Sequence, residues 1–376
     1  MRFDVKRWPS LAAAIFLVAG LLGCAGTPKP DPTPLEPLTP QVSGRQVWKQ
    51  SMGTVSFPLA VAVNGTVFTV ADDDGQVMAL QAETGNELWR VKLGDKLSAG
   101  VGSDGRFSSV VTRDNELVTV EAGKVLWRQQ LPSRVGTAPL VAGERVFVLA
   151  LDRSVAAFDA LDGRKLWTYQ RPNDALTLAS PGVLAPFKDT LLVGQGAKMV
   201  GLDPLRGTLR WETTMASPRG TNEVERLADL VGPSVRVGDV VCARAFQSAV
   251  ACANAERGNT VWTRNAGGIN GVGADEQMVI GTDASDRITA WRAADGSVAW
   301  TVEKLLYRNL SAPLVVGKAF VVGDLEGMVH WFARDTGEAV LRLPTDGKAI
   351  KATPAASGLT LLVVTSDGGL FGFRPE

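Results

Sequence analysis

The sequence predicts an all-β fold: an eight-bladed β-propeller of four-stranded antiparallel blades, closed by pairing of its N- and C-terminal strands. Three observations carry that prediction. A tryptophan-centred unit recurs at a spacing near 40 residues. The stretches between tryptophans alternate, are rich in β-branched residues and are punctuated by Asp, Asn and Gly. The first unit also lacks a strand that the last unit has to spare. Short strands repeated at this period belong to propeller blades.

The recurring unit reads GNELWR at 85–90, GKVLWR at 123–128, GRKLWT at 163–168, GTLRWE at 207–212, GNTVWT at 258–263 and GSVAWT at 296–301. An earlier copy, GRQVWK, stands at 44–49, and a later one at 328–342 puts Leu341 in the tryptophan position. Trp48, Trp89, Trp127, Trp167, Trp211, Trp262, Trp300 and Leu341 are thus 41, 38, 40, 44, 51, 38 and 41 residues apart. Runs such as 65–80 and 144–158 read as two strands joined by a tight turn, which is a hairpin signature. Helical periodicity is nearly absent, which argues against a βαβ arrangement.

Ring closure follows from the two ends. Residues 368–376, GGLFGFRPE, form a strand of the repeat with no tryptophan strand after it, while 44–49 is a tryptophan strand with none before it. Pairing them removes two open sheet edges. The alternative is a seven-bladed ring with one degenerate hairpin. The tryptophans themselves are expected in the core, each filling the wedge between blades and offering its N–H to a carbonyl of the next blade. The glycine four residues earlier permits the turn into that strand.

Ahead of the ring, residues 1–23 read as a lipoprotein signal peptide. Arg2, Lys6 and Arg7 precede an uncharged apolar run at 11–22, too short to span a bilayer as a helix. Leu21-Leu22-Gly23-Cys24 matches a lipobox, so lipidation is expected at Cys24. Ala25 is not the aspartate of inner-membrane retention, which favours the periplasmic face of the outer membrane. Residues 24–40 form a lipidated, Pro-rich tether, TPKPDPTPLEPLTP from 27 to 40, read either as a semi-rigid spacer or as a disordered terminus. The propeller occupies 41–376.

Composition narrows the function. Lys+Arg and Asp+Glu both number 39, so no nucleic-acid surface is expected. His330 is the single histidine, which counts against zinc sites, hydrolytic triads and most acid–base relays.

The repeat A-x-D-x-x-T-G-x-x-x-W resembles the pyrroloquinoline-quinone-type propellers, which include quinoprotein dehydrogenases and a non-catalytic branch. The chain has no adjacent cysteine pair and no acidic cluster outside the repeats to cage a hard cation. Asp72-Asp73-Asp74 read as solvated hairpin tips. No quinone, metal or other cofactor is therefore expected, and the quinone-dependent dehydrogenase stands as the alternative. A glycan-binding lipoprotein is a third reading.

Lipobox and eight such blades together resemble the BamB family, lipoproteins of the machinery that inserts β-barrel proteins into the outer membrane. The segment TNEVERLADLVGPSV at 221–235 is similar to that family's long inter-blade loop, in the widest gap between tryptophans. Leu176-Thr177-Leu178 matches its leucine pair, although the arginine that should follow is Ala179, and Val231 replaces a second aspartate. The resemblance implies a non-catalytic scaffold that docks the POTRA domains of a BamA-like subunit, and unfolded barrel proteins as further clients. Leu176, Leu178, Glu223, Glu225, Arg226 and Asp229 are the expected partner-binding residues, apolar anchors with a charged rim. The alternative is that both leucines are buried strand residues and the charges a solvated loop. Finally, Cys242 and Cys252 flank a turn. A three-residue loop would set them opposite each other and a two-residue loop would not, and free thiols are favoured over a bridge.

Overall fold

The computed structural model describes Met1 and residues 30–171, 176–218 and 220–375, so Cys24 and the signal segment lie outside the described residues. The chain divides into Met1–Pro32 and Thr33–Glu376, the second being the propeller.

Eight four-stranded antiparallel sheets make up the ring. The first blade comprises Ala62–Asn64, Val67–Ala71, Gln76–Gln81 and Glu87–Lys92, from the axis outward, and six more follow in the same order. The eighth is composite. Ala355–Ser357, Thr360–Val364 and Gly369–Pro375 come from the C-terminus, and Gly44–Ser51 from the N-terminus is its outermost strand. Gly44 pairs with Pro375 and Ser51 with Gly369, which decides for eight blades over seven.

Burial follows strand position. The middle strands touch a neighbouring blade on both faces, so Thr190–Gln195 is buried throughout and reads as a nearly unbroken apolar run. The outermost strands, such as Glu87–Lys92, expose much of their length and carry charge. The ring has two faces. One bears the turns between first and second and between third and fourth strands, here the turn face. The other bears the hairpin tips between second and third strands and the connectors from blade to blade, here the connector face.

The tryptophans bind blade to blade at the turn face. Trp48, Trp127, Trp167, Trp262 and Trp300 donate their indole N–H to Ala82, Ala160, Pro204, Ala293 and Arg334 of the following blade at 2.8–3.0 Å. Each ring lies on the turn glycine of that blade. A Cβ on Gly85, Gly163, Gly207, Gly258, Gly296 or Gly337 would come within 2.5–2.7 Å of Trp48, Trp127, Trp167, Trp211, Trp262 or Trp300 respectively. These glycines have φ of 69–73°, so they serve the turn and the close approach together. Of the seven blade tryptophans, Trp48, Trp127 and Trp262 are buried. Trp89, Trp167, Trp211 and Trp300, on outermost strands like the other three, are half-buried.

Leu341 now has a reason. A tryptophan needs the third turn of the next blade to stack on, and in the eighth blade that turn is replaced by the two chain ends. Leu341 instead meets Gly44, where a Cβ would stand 2.8 Å from its Cδ2.

Two expectations are corrected. Asp72 and Asp73 are buried, not solvated tips. Asp72 accepts the amides of Gly53, Asp74 and Gln76 at 2.9–3.0 Å, and Asp73 accepts those of Ser56 and the hydroxyls of Thr54 and Ser56 at 2.8–3.0 Å. Burial alone would raise the Asp73 carboxyl, but the Ser56 and Thr54 bonds outweigh it and hold the carboxyl below its usual range. Cys242 and Cys252 are disulfide-bonded rather than free. They are register partners because Ala245 pairs with Ala249, leaving the three-residue loop that places both side chains on one face.

The tether also differs from a free spacer over its second half. Residues 33–41 lie against the seventh blade. Thr33 N–H donates to the Leu306 carbonyl at 3.0 Å, Arg308 Nη1 to the Thr33 carbonyl at 2.9 Å, Arg342 Nη1 to the Glu36 carbonyl at 2.9 Å, and Gln41 N–H to the Val340 carbonyl at 2.9 Å. Leu35 packs on the apolar cluster of Leu305, Leu310, Phe320 and Phe332 between the sixth and seventh blades.

Candidate protein-docking face

The two segments singled out from sequence are both connectors. One leads from the third blade to the fourth, and the other, between Leu209–Thr214 and Leu230–Val237, from the fourth to the fifth. Both therefore lie on the connector face. Leu176, Thr177 and Leu178 belong to no strand; Leu176 is 36% exposed and Leu178 is half-buried.

In the second connector, Glu223, Glu225 and Arg226 are exposed, whereas Ala228 and Leu230 are buried and root the loop. Glu225 turns back on its own loop, accepting the Thr221 amide at 2.7 Å, the Thr221 hydroxyl at 3.0 Å and Asn222 Nδ2 at 2.9 Å. The Thr221 amide, foremost, holds its carboxyl below the ordinary glutamate range. This residue shapes the loop, and Glu223 and Arg226 are left as the outward charges.

What joins the two connectors is a residue that the sequence reading did not single out. Arg153, at the hairpin tip of the third blade, donates its Nε to Asp229 Oδ1 at 3.0 Å, and its Nη2 stands 2.8 Å from the same oxygen. Its Nη2 also reaches the Leu176 carbonyl at 3.4 Å, and its own carbonyl accepts from Gln195 Nε2 at 2.9 Å. Both members of the pair are mostly buried, at 14% and 15% side-chain exposure, so the ion pair fixes geometry more than a surface pair would. The sequence shows only that an arginine stands at a tip where other blades place Gly75, Asn115 or Gly327; its φ of 63° and its partner appear only in the structure. Ala179, which replaces the arginine expected after the leucine pair, is exposed, and Val231 is buried.

The result is one groove of about 730 Å³ lined by Leu176, Arg153, Lys198, Glu223, Arg226 and Asp229, with Leu178 in a smaller pocket beside it. Apolar side chains are flanked by both signs of charge on a rigid base, which suits recognition of a protein surface.

The centre of the connector face is a separate funnel of about 610 Å³. Its walls are backbone and small or apolar side chains such as Phe57, Leu59, Val183 and Ile269; among the described residues its one charged lining residue is Lys351. A quinone held with calcium needs carboxylate and amide oxygens converging on the cation. Among the described residues no group of three or more His, Cys, Asp or Glu side chains is placed to hold a metal ion. The residues here do not fit that cofactor pair.

The family described as outer membrane protein assembly factor BamB matches residues 38–95 and 73–302 of the chain. The chain belongs to the BamB family. A protein of that description from Burkholderia pseudomallei (strain K96243) is 36% identical over 99% of each chain. Another, from Bordetella pertussis (strain Tohama I), is 32% identical over 98% of this chain and 97% of its own. Among solved structures, BamB from Moraxella catarrhalis superposes with a TM-score of 0.79 at 22% identity, covering 88% of this chain and 100% of that one. Quinohemoprotein alcohol dehydrogenase from Comamonas testosteroni superposes at 0.65 with 14% identity, covering 88% and 76%, a likeness of fold alone. Membership in a family of assembly factors sets the dehydrogenase reading aside.

Proposed function

We propose that this chain is a non-catalytic scaffold of the outer-membrane β-barrel assembly machinery, lipid-anchored through Cys24 at the periplasmic face of the outer membrane. Its connector face docks the POTRA domains of a BamA-like subunit, and unfolded barrel proteins are the further clients it assists. The observation that carries the docking reading is the Arg153–Asp229 pair, which ties two connectors into one groove with Leu176 at its lip. Leu176 and Leu178 are the apolar anchors, and Glu223 and Arg226 form the rim that steers encounter.

The test is co-purification of the barrel-inserting subunit with a Leu176→Asp/Leu178→Asp variant, beside its melting curve. Buried unpaired charge at the contact should abolish a micromolar complex while the ring melts nearly as before, since neither leucine lies in a strand. Retained co-purification by this variant excludes the groove. Lipid anchoring is checked by Cys24→Ser, which should release the chain from membranes into the soluble periplasm.

A further inference from the structure

We infer that the strap formed by residues 33–41 orients the ring, turning its connector face toward the lipid surface. The inference rests on the lipid-anchored reading and adds to it a direction. The tether is not free as far as the first blade strand. It is caught at Thr33, on the connector face, by Leu306 and by Arg308. It then runs along the outer edge of the seventh blade and reaches the turn face at Gln41, beside Val340.

The catch is firmly built. Arg308 has 2% side-chain exposure and bonds to Asp324, itself fully buried, at 2.8 Å and also to Glu326. The arginine that holds the Thr33 carbonyl is therefore itself fixed by two carboxylates. Leu35 fills the cleft between the sixth and seventh blades, and the Arg342 guanidinium holds the Glu36 carbonyl at 2.9 Å. Lys304 lies 3.6 Å from the Glu36 carboxylate.

Geometry does the rest. Nine Cα steps separate Cys24 from Thr33, a reach of about 30 Å at full extension. The blades are roughly 20 Å from face to face, the length of a strand of five or six residues. A tether leaving from the connector face would use most of its reach to round the ring, so the membrane lies on the connector side. The docking groove of the third to fifth blades lies on that same face, across the ring axis from the strap. A partner seated there is held between the ring and the bilayer.

The test uses the full-length lipidated protein in phosphatidylethanolamine/phosphatidylglycerol vesicles that carry a headgroup nitroxide quencher. Fluorophores are placed on Ala284→Cys, exposed at a hairpin tip of the connector face, and on Leu359→Cys, exposed at the turn face. Cys242 and Cys252 are buried in their disulfide and do not compete for label. The Ala284→Cys probe should be quenched about twofold or more over the Leu359→Cys probe, given roughly 20 Å between faces. Two variants should bring that ratio toward one. Leu35→Asp expels the strap from its cleft, and a Gly-Ser insertion of about 12 residues between Pro32 and Thr33 lengthens the reach without touching the ring. Vesicle-bound protein with equal quenching of both probes, or a ratio unmoved by the insertion, overturns the orientation. Protein that does not float with vesicles, or floats equally as Cys24→Ser, overturns the anchor reading and the orientation with it.

Discussion

Trp48 donates its indole N–H to the carbonyl of Ala82 at 2.9 Å, across the joint between the composite blade and the one that follows it round the ring. Trp48 belongs to the eighth blade and Ala82 to the first, so this bond makes the last inter-blade joint chemically the same as those of Trp127, Trp167, Trp262 and Trp300. Gly85 lies under the same indole.

Gly85→Ala should therefore destabilise more than a turn glycine with open space. Its Cβ would meet Trp48 at 2.5 Å, and its φ is 70°. Gly65 has φ of 57° with nothing within 4 Å, so Gly65→Ala reports backbone strain alone. We expect a loss of about 1 kcal/mol at Gly65 and about 2–4 kcal/mol at Gly85. Equal melting temperatures for the two variants would refute the stacking argument.

Deleting residues 369–376 removes the register partner of Gly44–Ser51. Two sheet edges open and Trp48 loses Gly372 beneath its ring. The expected outcome is a large fall in melting temperature with aggregation, read by scattering. An unchanged melting temperature would contradict closure by the termini.

Arg153→Met should separate docking from folding. Loss of the guanidinium leaves Asp229 partly buried without its partner, a cost of about 1–3 kcal/mol. The two connectors are then no longer tied, so co-purification of the BamA-like subunit should fall while far-UV dichroism stays that of the ring. Full partner binding by this variant would mean that Arg153 does not shape the groove.

The cross-strand bridge is testable by Cys242→Ala/Cys252→Ala. The closed loop is short, 10 residues of separation, so the expected loss is about 3 kcal/mol or less. Since both cysteines are buried, reductant should act on the native protein slowly and on the unfolded chain at once. Thiol titration of the denatured, unreduced protein checks the assignment directly.

Acid should weaken the seventh blade through His330. Burial, above all, pushes this imidazole below its ordinary value, and the Asp324 carboxylate at 3.0 Å only partly offsets it. Arg342 Nε donates to Nδ1 at 3.2 Å, so the proton of the neutral ring is on Nε2, facing Asp324. The unfolded chain takes up the proton near pH 6.5, before the native state does, so stability falls as pH drops below about 6.5. His330→Gln should flatten the melting-temperature profile just below about pH 6.5, and an equally steep profile would exclude His330 as its source.

Blade number and closure were legible because six of the eight blade joints repeat the same local device, a glycine turn under a tryptophan, and repeats print themselves in sequence. The Leu176 and Asp229 segments were legible as connectors because insertions between blades lengthen the tryptophan spacing. Arg153 was not, since its partner lies 76 residues away and only the ring brings them together. The strap was illegible for the same reason. Proline content predicts an extended chain, but Arg308, which catches it, lies 275 residues downstream. Asp72 and Asp73 misled because a run of acids between two strands reads as a wet tip until the neighbouring connector supplies its amides.

The composite eighth blade also imposes an order on how the molecule is made. Seven blades consist of contiguous sequence and can form as the chain emerges, each from contacts of short range. The eighth cannot begin until Gly369–Pro375 exists, although its outer strand is among the first segments synthesised. Residues 44–51 must wait unpaired until that last segment is available, and their pairing carries the highest contact order in the protein. A ring that has not yet closed is therefore an open arc with adhesive ends, and the interval before the last strand pairs is when a chaperone would matter most.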